Sequence, residues 1–147
     1  MITSFRDEYE YLSNFYEAKI SYDGITFRNS EAAYQAQKCA DRIDKEYFFN
    51  LPAKLAKKVG RRVEMVDNWD EIKLDVMQKI VDAKFDQHPE LAEKLISTGD
   101  EYIEEGNYWK DTFWGVCDGV GENHLGKILM NTRQRLKEQY IEKEDLE

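Results

Sequence analysis

The chain has 147 residues, 41% of them hydrophobic, with three Trp, nine Tyr and seven Phe; this suffices for one domain with a real core and excludes a disordered acidic chain. Thirty acidic against 21 basic residues leave a formal charge of −9, ill suited to wrapping duplex DNA, where binding rests on phosphate neutralisation. No apolar run approaches the roughly 18 residues of a membrane span, MITSFRDEYEYL lacks the regions of a secretory signal, and Cys39 and Cys117 cannot make a disulfide framework, so a cytoplasmic protein without membrane contact is expected.

Residues 1–29 lack helical periodicity, but Ile20 to Phe27 alternates and carries an Asp23-Gly24 step, the signature of a short β-hairpin. From Ser30 the pattern is helical to about Cys39, with Ser30 as N-cap and Glu31 as a first-turn acid. Ile43 to Asn50 reads as a short helix; Pro52 opens the next at its first position, and Gly60 stops it. Asp67 or Asn68 caps a further helix with Trp69, Ile72, Val76, Ile80 and Ala83 along one stripe. Pro89 starts another, which carries Leu91 and Leu95 and ends at Thr98-Gly99. Residues 101–121 hold short apolar and aromatic pieces broken by glycine. The last helix runs from about His124 to Tyr140, with Leu125, Ile128, Leu129, Thr132 and Leu136 at helical spacing, and the tail beyond it frays. The expected fold class is α+β, predominantly helical with a few short strands, in a single domain over 1–147 whose core spans about 12–137.

Few segments carry chemistry. His88, His124, Cys39 and Cys117 show no metal-ligand spacing, so neither metal nor cofactor is expected. The segment from Gly121 to Lys127 fits the start of a phosphate-binding loop, but Ile128 stands where the Mg²⁺-holding hydroxyl belongs. What survives is a glycine-rich loop, Gly119 and Gly121 included, that leads into a helix capped by Asn123 and offers free N–H groups to an anion. Lys54, Lys57, Lys58, Arg61 and Arg62 read either as a solvated helix face or as an anion site for a phosphorylated ligand. Glu31, Gln35 and Lys38 fall within about 60° of one another on the helix that starts at Ser30, flanked by Tyr34. Trp69, Trp109, Trp114, Tyr108 and Phe113 are either core or walls on which a base stacks.

These pieces occur in a familiar order: Leu12-Ser13-Asn14-Phe15-Tyr16, Ser30 to Lys38, Gly60-Arg61, Asn68-Trp69, Lys84-Phe85, Asp111 to Gly115 and Asp118 to Gly126. Together they resemble the NADAR, or YbiA-like, family over roughly Leu12 to Leu136. The resemblance implies cleavage of N-glycosidic bonds to ribose, on one of two substrate classes. The expected one is ADP-ribose attached to guanine, so that the chain acts as an ADP-ribosylglycohydrolase with transient contact to ADP-ribosylated nucleic acid. The alternative is the phosphoribosylamino-pyrimidine intermediates of riboflavin synthesis. It assigns catalysis to Lys38 and Glu31 with Asp111, and substrate binding to Asn14, Tyr34, Gln35, Arg61, Trp69, Trp114, Gly119, Gly121 and Asn123. Arg28, where many relatives have proline, departs from the pattern and bears on substrate choice; Cys117 interrupts the glycine-rich stretch.

Two routes are open for the chemistry. Lys38 forms an imine at ribose C1 with Glu31 shuttling protons, or Glu31 or Asp111 stabilises an oxocarbenium ion. The first requires desolvation of the amine to outweigh the nearby carboxylate, which favours the charged lysine. A module that binds ADP-ribose without cleaving it would need the aromatic and anion sites, but neither Lys38 nor Glu31.

Overall fold

The computed structural model describes residues 1–146, which form two compact units: Ser13–Gln87, and Met1–Leu12 together with the chain from His88 onwards. In the first, β1 (Ile20–Tyr22) and β2 (Ile25–Phe27) pair antiparallel with Ile20 opposite Phe27, both fully buried. Asp23 and Gly24 both have positive φ, 51° and 80°, the mirror-image turn that suits the twist of a two-residue hairpin. The Gln87 side chain accepts from Ser21 N and donates to Ser21 O, each at 2.8 Å.

Helix α1 (Ser30–Ala36) is buried along its whole length and packs against β1, β2, α3 (Ala53–Gly60) and α4 (Trp69–Gln87). Its N-cap is Asn29, whose Oδ1 accepts from Ala32 N at 2.8 Å while Nδ2 donates to Leu51 O. Ser30, expected as the cap, is instead the first helical residue, and its buried hydroxyl has no hydrogen-bond partner among the described residues. The short α2 (Arg42–Glu46) lies between α1 and α3, shorter than the span expected.

Two further expectations are corrected. Pro52 precedes α3 as its N-cap rather than opening it, and Gly60 is the last helical residue rather than the one beyond. In α4 the buried set is Trp69, Met77, Ile80, Val81, Lys84 and Phe85, so Ile72, Val76 and Ala83 are only half-buried. The inward stripe includes a lysine, which an apolar pattern passes over.

The second unit begins with a 3₁₀ turn, Asp7–Leu12, in a segment that lacks α-helical periodicity. Ile2 pairs parallel with Ile103, both buried. Helix α5 (Pro89–Ser97) starts with proline in its first turn and ends at Thr98, followed by Gly99 at φ 66°, as the punctuation predicts. The pieces between 101 and 121 supply β3 (Gly106–Asn107) and β4 (Val116–Cys117), a short parallel pair. Helix α6 (His124–Leu146) packs on α5 and buries Leu125, Ile128, Leu129, Thr132 and Leu136. It runs six residues past Tyr140 instead of fraying, through Glu142, Lys143, Glu144 and Leu146, which are good helix formers. The last residue of that tail, Glu147, lies outside the described residues. Helices with a few short strands make the fold α+β, as the sequence pattern indicates.

Candidate active site

Three elements of Ser13–Gln87 assemble a small polar cluster. Helix α1 brings Glu31 and Gln35, both buried, and the Gln35 amide donates to Glu31 Oε1 at 2.8 Å. Lys38 does not share this helix: α1 ends at Ala36, and Lys38 lies in the closing turn, its N–H donating to Gln35 O. From there its half-buried Nζ donates to the carbonyl of Gly60, at the end of α3, at 3.2 Å. The Asn14 carbonyl accepts from Glu31 N at 3.0 Å and so fixes the start of α1, while the Asn14 side chain donates to Met77 Sδ.

In the contest posed for Lys38, burial weighs more than the carboxylate. Its amine is drawn below the ordinary value of 10.5, first by burial. Glu31 pulls the other way, and Arg61 and Lys73 add repulsion that lowers it further. Burial outweighs the carboxylate, so the amine is closer to the neutral, nucleophilic form than a solvated lysine would be.

Arg61 caps α3 and is exposed, and among the described residues no ion pair or hydrogen bond engages its guanidinium. The rest of the basic run is largely a solvated face, although Lys57 lies 5.9 Å over the Phe15 ring. An exposed guanidinium with no carboxylate partner among the described residues, near enough to bear on the Lys38 amine electrostatically, suits a phosphate that lysine cannot grip bidentately. If Arg61 receives the phosphate of a phosphorylated ribosyl ligand, Arg61→Lys is expected to weaken binding of ribose 5-phosphate by roughly 1.5–3 kcal/mol for a charge-assisted contact, and the native affinity to fall with salt. Equal affinities of native and variant protein at low salt, read by calorimetric titration, would remove Arg61 from the site. Arg28 is spent on Glu17, with Nε at 3.1 and 3.2 Å from the two carboxylate oxygens.

Tyr34 and Trp69 are each 5% exposed and pack on one another, ring centroids 5.2 Å apart. A groove of about 920 Å³ in the same unit, with Tyr47, Arg62 and Met65 in its wall, includes neither Glu31 nor the Lys38 side chain.

The remaining expected site residues belong to the other unit. Asp111 Oδ1 accepts from the N–H groups of Phe113 and Trp114 at 3.1 and 2.9 Å, which closes a local turn. Trp114 is half-buried, edge-on to Phe113 at 4.9 Å, and Gly119 and Gly121 lie exposed in the loop before α6. The helix start offers an anion fewer free donors than the sequence suggests. Glu122, Asn123, His124 and Leu125 donate their N–H groups to the carbonyls of Thr112, Gly115, Phe113 and Trp114 respectively. Those donors are consumed by the protein itself. Asn123 caps α6 with its carbonyl only; its buried side chain accepts from Glu105 N and donates to Ile103 O and the Tyr102 hydroxyl.

Sequence reasoning did not single out Asn29, Gly60 or Lys84 as residues that shape the cluster. Lys84 is 1% exposed and donates to the Ser13 carbonyl at 3.0 Å, beside Asn14, and burial pushes it down to about 7.

Residues 3–137 match the NADAR domain model. The chain belongs to the NADAR family. It is 36% identical over 134 residues to the N-glycosidase YbiA of Escherichia coli, covering 88% of this chain and 83% of that one. To an N-glycosidase of Nostoc punctiforme it is 33% identical over 136 residues, covering 88% and 86%. A riboflavin biosynthesis protein of Vibrio vulnificus is 38% identical over 136 residues, 90% of this chain, but the chain spans only 37% of that protein's length. The NMR structure of E. coli YbiA superposes with a TM-score of 0.85 at 35% identity, covering 96% of this chain and 86% of the other. This NADAR member thus shares fold and family with proteins named as hydrolases of N-glycosidic bonds.

Proposed function

We propose that this chain is an N-glycosidase that releases an amine from C1 of a phosphorylated ribosyl group, with Lys38 as nucleophile and Glu31 as proton shuttle. One observation carries the reading: a half-buried lysine amine, lowered by burial, held on the Gly60 carbonyl beside a buried carboxylate.

The steps follow from these groups. The C1–O4′ bonding pair moves to O4′, which takes a proton, while the nitrogen lone pair forms a C1=N bond. The neutral Lys38 amine adds to C1, and a proton passes through Glu31 to the departing nitrogen. The C1–N bond breaks, the free base leaves and an imine joins C1 to Lys38. Water adds to that imine, returning Lys38 and the aldehyde form of the sugar.

For the substrate we favour the phosphoribosylamino-pyrimidines of riboflavin synthesis, in line with the name of the Vibrio relative. A formal charge of −9 also suits a small phosphorylated metabolite better than nucleic acid. Arg61, with no carboxylate partner, would receive the phosphate. ADP-ribose on guanine is the second reading, since it presents the same ribose C1–N bond and phosphates. Assays of the native chain with both substrates, following release of pyrimidine or of guanine, distinguish them. Hydrolysis of the guanine adduct alone would overturn our preference, and hydrolysis of neither would overturn the activity.

Glu31 is tested separately. Glu31→Gln keeps shape and removes proton transfer, so kcat is expected to fall about 10²–10⁴-fold with binding little changed. A rate within a few-fold of native would leave Glu31 as a first-turn helix acid only.

A further inference from the structure

We propose that Gly60 is a positioning residue: by having no side chain it admits the Gln35 side chain that holds Glu31, and with its carbonyl it holds Lys38, so one residue sets both halves of the reacting pair. The inference rests on the reading of Glu31 and Lys38 just given.

Gly60 does not meet a backbone demand. It ends α3 in helical conformation, is followed by Arg61 at φ −75°, and is absent from the positive-φ glycines. Glycine is less favourable than alanine at such a place. The reason for its presence is tertiary. A Cβ on residue 60 would overlap Gln35, colliding with its Oε1 and coming within 3.0 Å of its Cγ. The conflict is with the amide end of Gln35, which is buried and held by Glu31, so it cannot swing aside without breaking that bond. Gln35 is 5% exposed, its Nε2 is committed to Glu31, and its Oε1, which faces Gly60, accepts from no donor among the described residues. Swapping the amide ends would set its oxygen against the Glu31 carboxylate, which fixes the nitrogen there when Glu31 is ionised. Gln35, expected from the sequence to contact substrate, thus also holds Glu31. On the other side the Gly60 carbonyl receives the Lys38 amine at 3.2 Å.

The test compares Gly60→Ala, Gln35→Ala and the double variant in the full chain. Circular dichroism reports the fold, kinetics on a phosphoribosylamino-pyrimidine report kcat and KM, and NMR of ¹³C-labelled lysine reports Lys38 titration without substrate. Gly60→Ala is expected to lower kcat about 10²-fold, the scale for displaced reacting groups, with KM within about threefold. Its Lys38 titration should move up towards the ordinary lysine range, because water enters as Gln35 leaves. Added to Gln35→Ala, the same substitution should change neither quantity, since the overlap is gone. An equal loss in both backgrounds would make Gly60 merely structural and overturn the proposal. If Gly60→Ala fails to fold, refolding on addition of Gln35→Ala supports the steric link, and failure of the double variant overturns it. If the native chain hydrolyses no ribosyl amine, the proposed activity fails. Positioning is then judged by Lys38 titration alone: a shift in Gly60→Ala that Gln35→Ala abolishes upholds it, and no shift refutes it.

Discussion

Lys38→Ala should abolish turnover while the chain stays folded. Lys38 is half-buried in a turn, and its side-chain partner is a single carbonyl, Gly60 O. Loss of that bond costs stability on the order of 1 kcal/mol, whereas loss of a covalent nucleophile removes the reaction path itself. Borohydride added during turnover should reduce the imine and leave the sugar on native Lys38, seen as added mass on the peptide that contains it. The pH dependence has a defined sign. Attack needs the neutral amine, so kcat/KM should rise with pH along an acid limb that lies below 10.5, the ordinary lysine value. Near-native activity in Lys38→Ala with no trapped adduct would reject the imine and leave the oxocarbenium route, with Glu31 as the stabilising charge.

Lys84 predicts a comparably large effect on stability. Burial lowers this lysine from 10.5 to about 7, a difference on the order of 4–5 kcal/mol between its protonation states. Between those two pH values the unfolded chain binds the proton and the folded chain does not. Stability from this group therefore rises as pH is raised from about 7 towards 10.5, and the full penalty is present below 7. Lys84→Met, of similar length, removes the penalty but leaves the Ser13 carbonyl without this donor, a loss of about 1–3 kcal/mol. The desolvation penalty is the larger, so the variant should be the more stable at pH 6 and lose that advantage by pH 10. Urea denaturation at both values measures it. Parallel pH profiles for the two chains would show that Lys84 keeps its ordinary proton affinity.

Features written in local chemistry are legible in the sequence. Asp23-Gly24 marks the hairpin because few other dipeptides tolerate two positive φ values, and Pro89 with Gly99 brackets α5 for equally local reasons. The Glu31–Lys38 pairing was legible only in part. The helical wheel places Gln35 beside Glu31 correctly, but Lys38 reaches the cluster from a turn that carries it to Gly60. Asn29 and Ser30 are adjacent and equally good caps, so the choice between them needed the geometry of the preceding hairpin. Gly60 reads locally as a helix stop, although what requires it is a side chain from another helix. The loop before α6 looks anion-binding because its composition shows glycines and a helix start; it does not show that the carbonyls of 112–115 already occupy the donors.

The twin hydrogen bonds between the Gln87 amide and the backbone of Ser21 bear on solubility. A primary amide offers one donor and one acceptor in the spacing of a peptide group, so Gln87 imitates one residue of a third strand. A two-stranded ribbon would otherwise leave this backbone pair open to strands from other molecules, a route to aggregation. Here the last residue of α4 occupies that position from within the same unit, so the hairpin carries its own protection against sticky self-association.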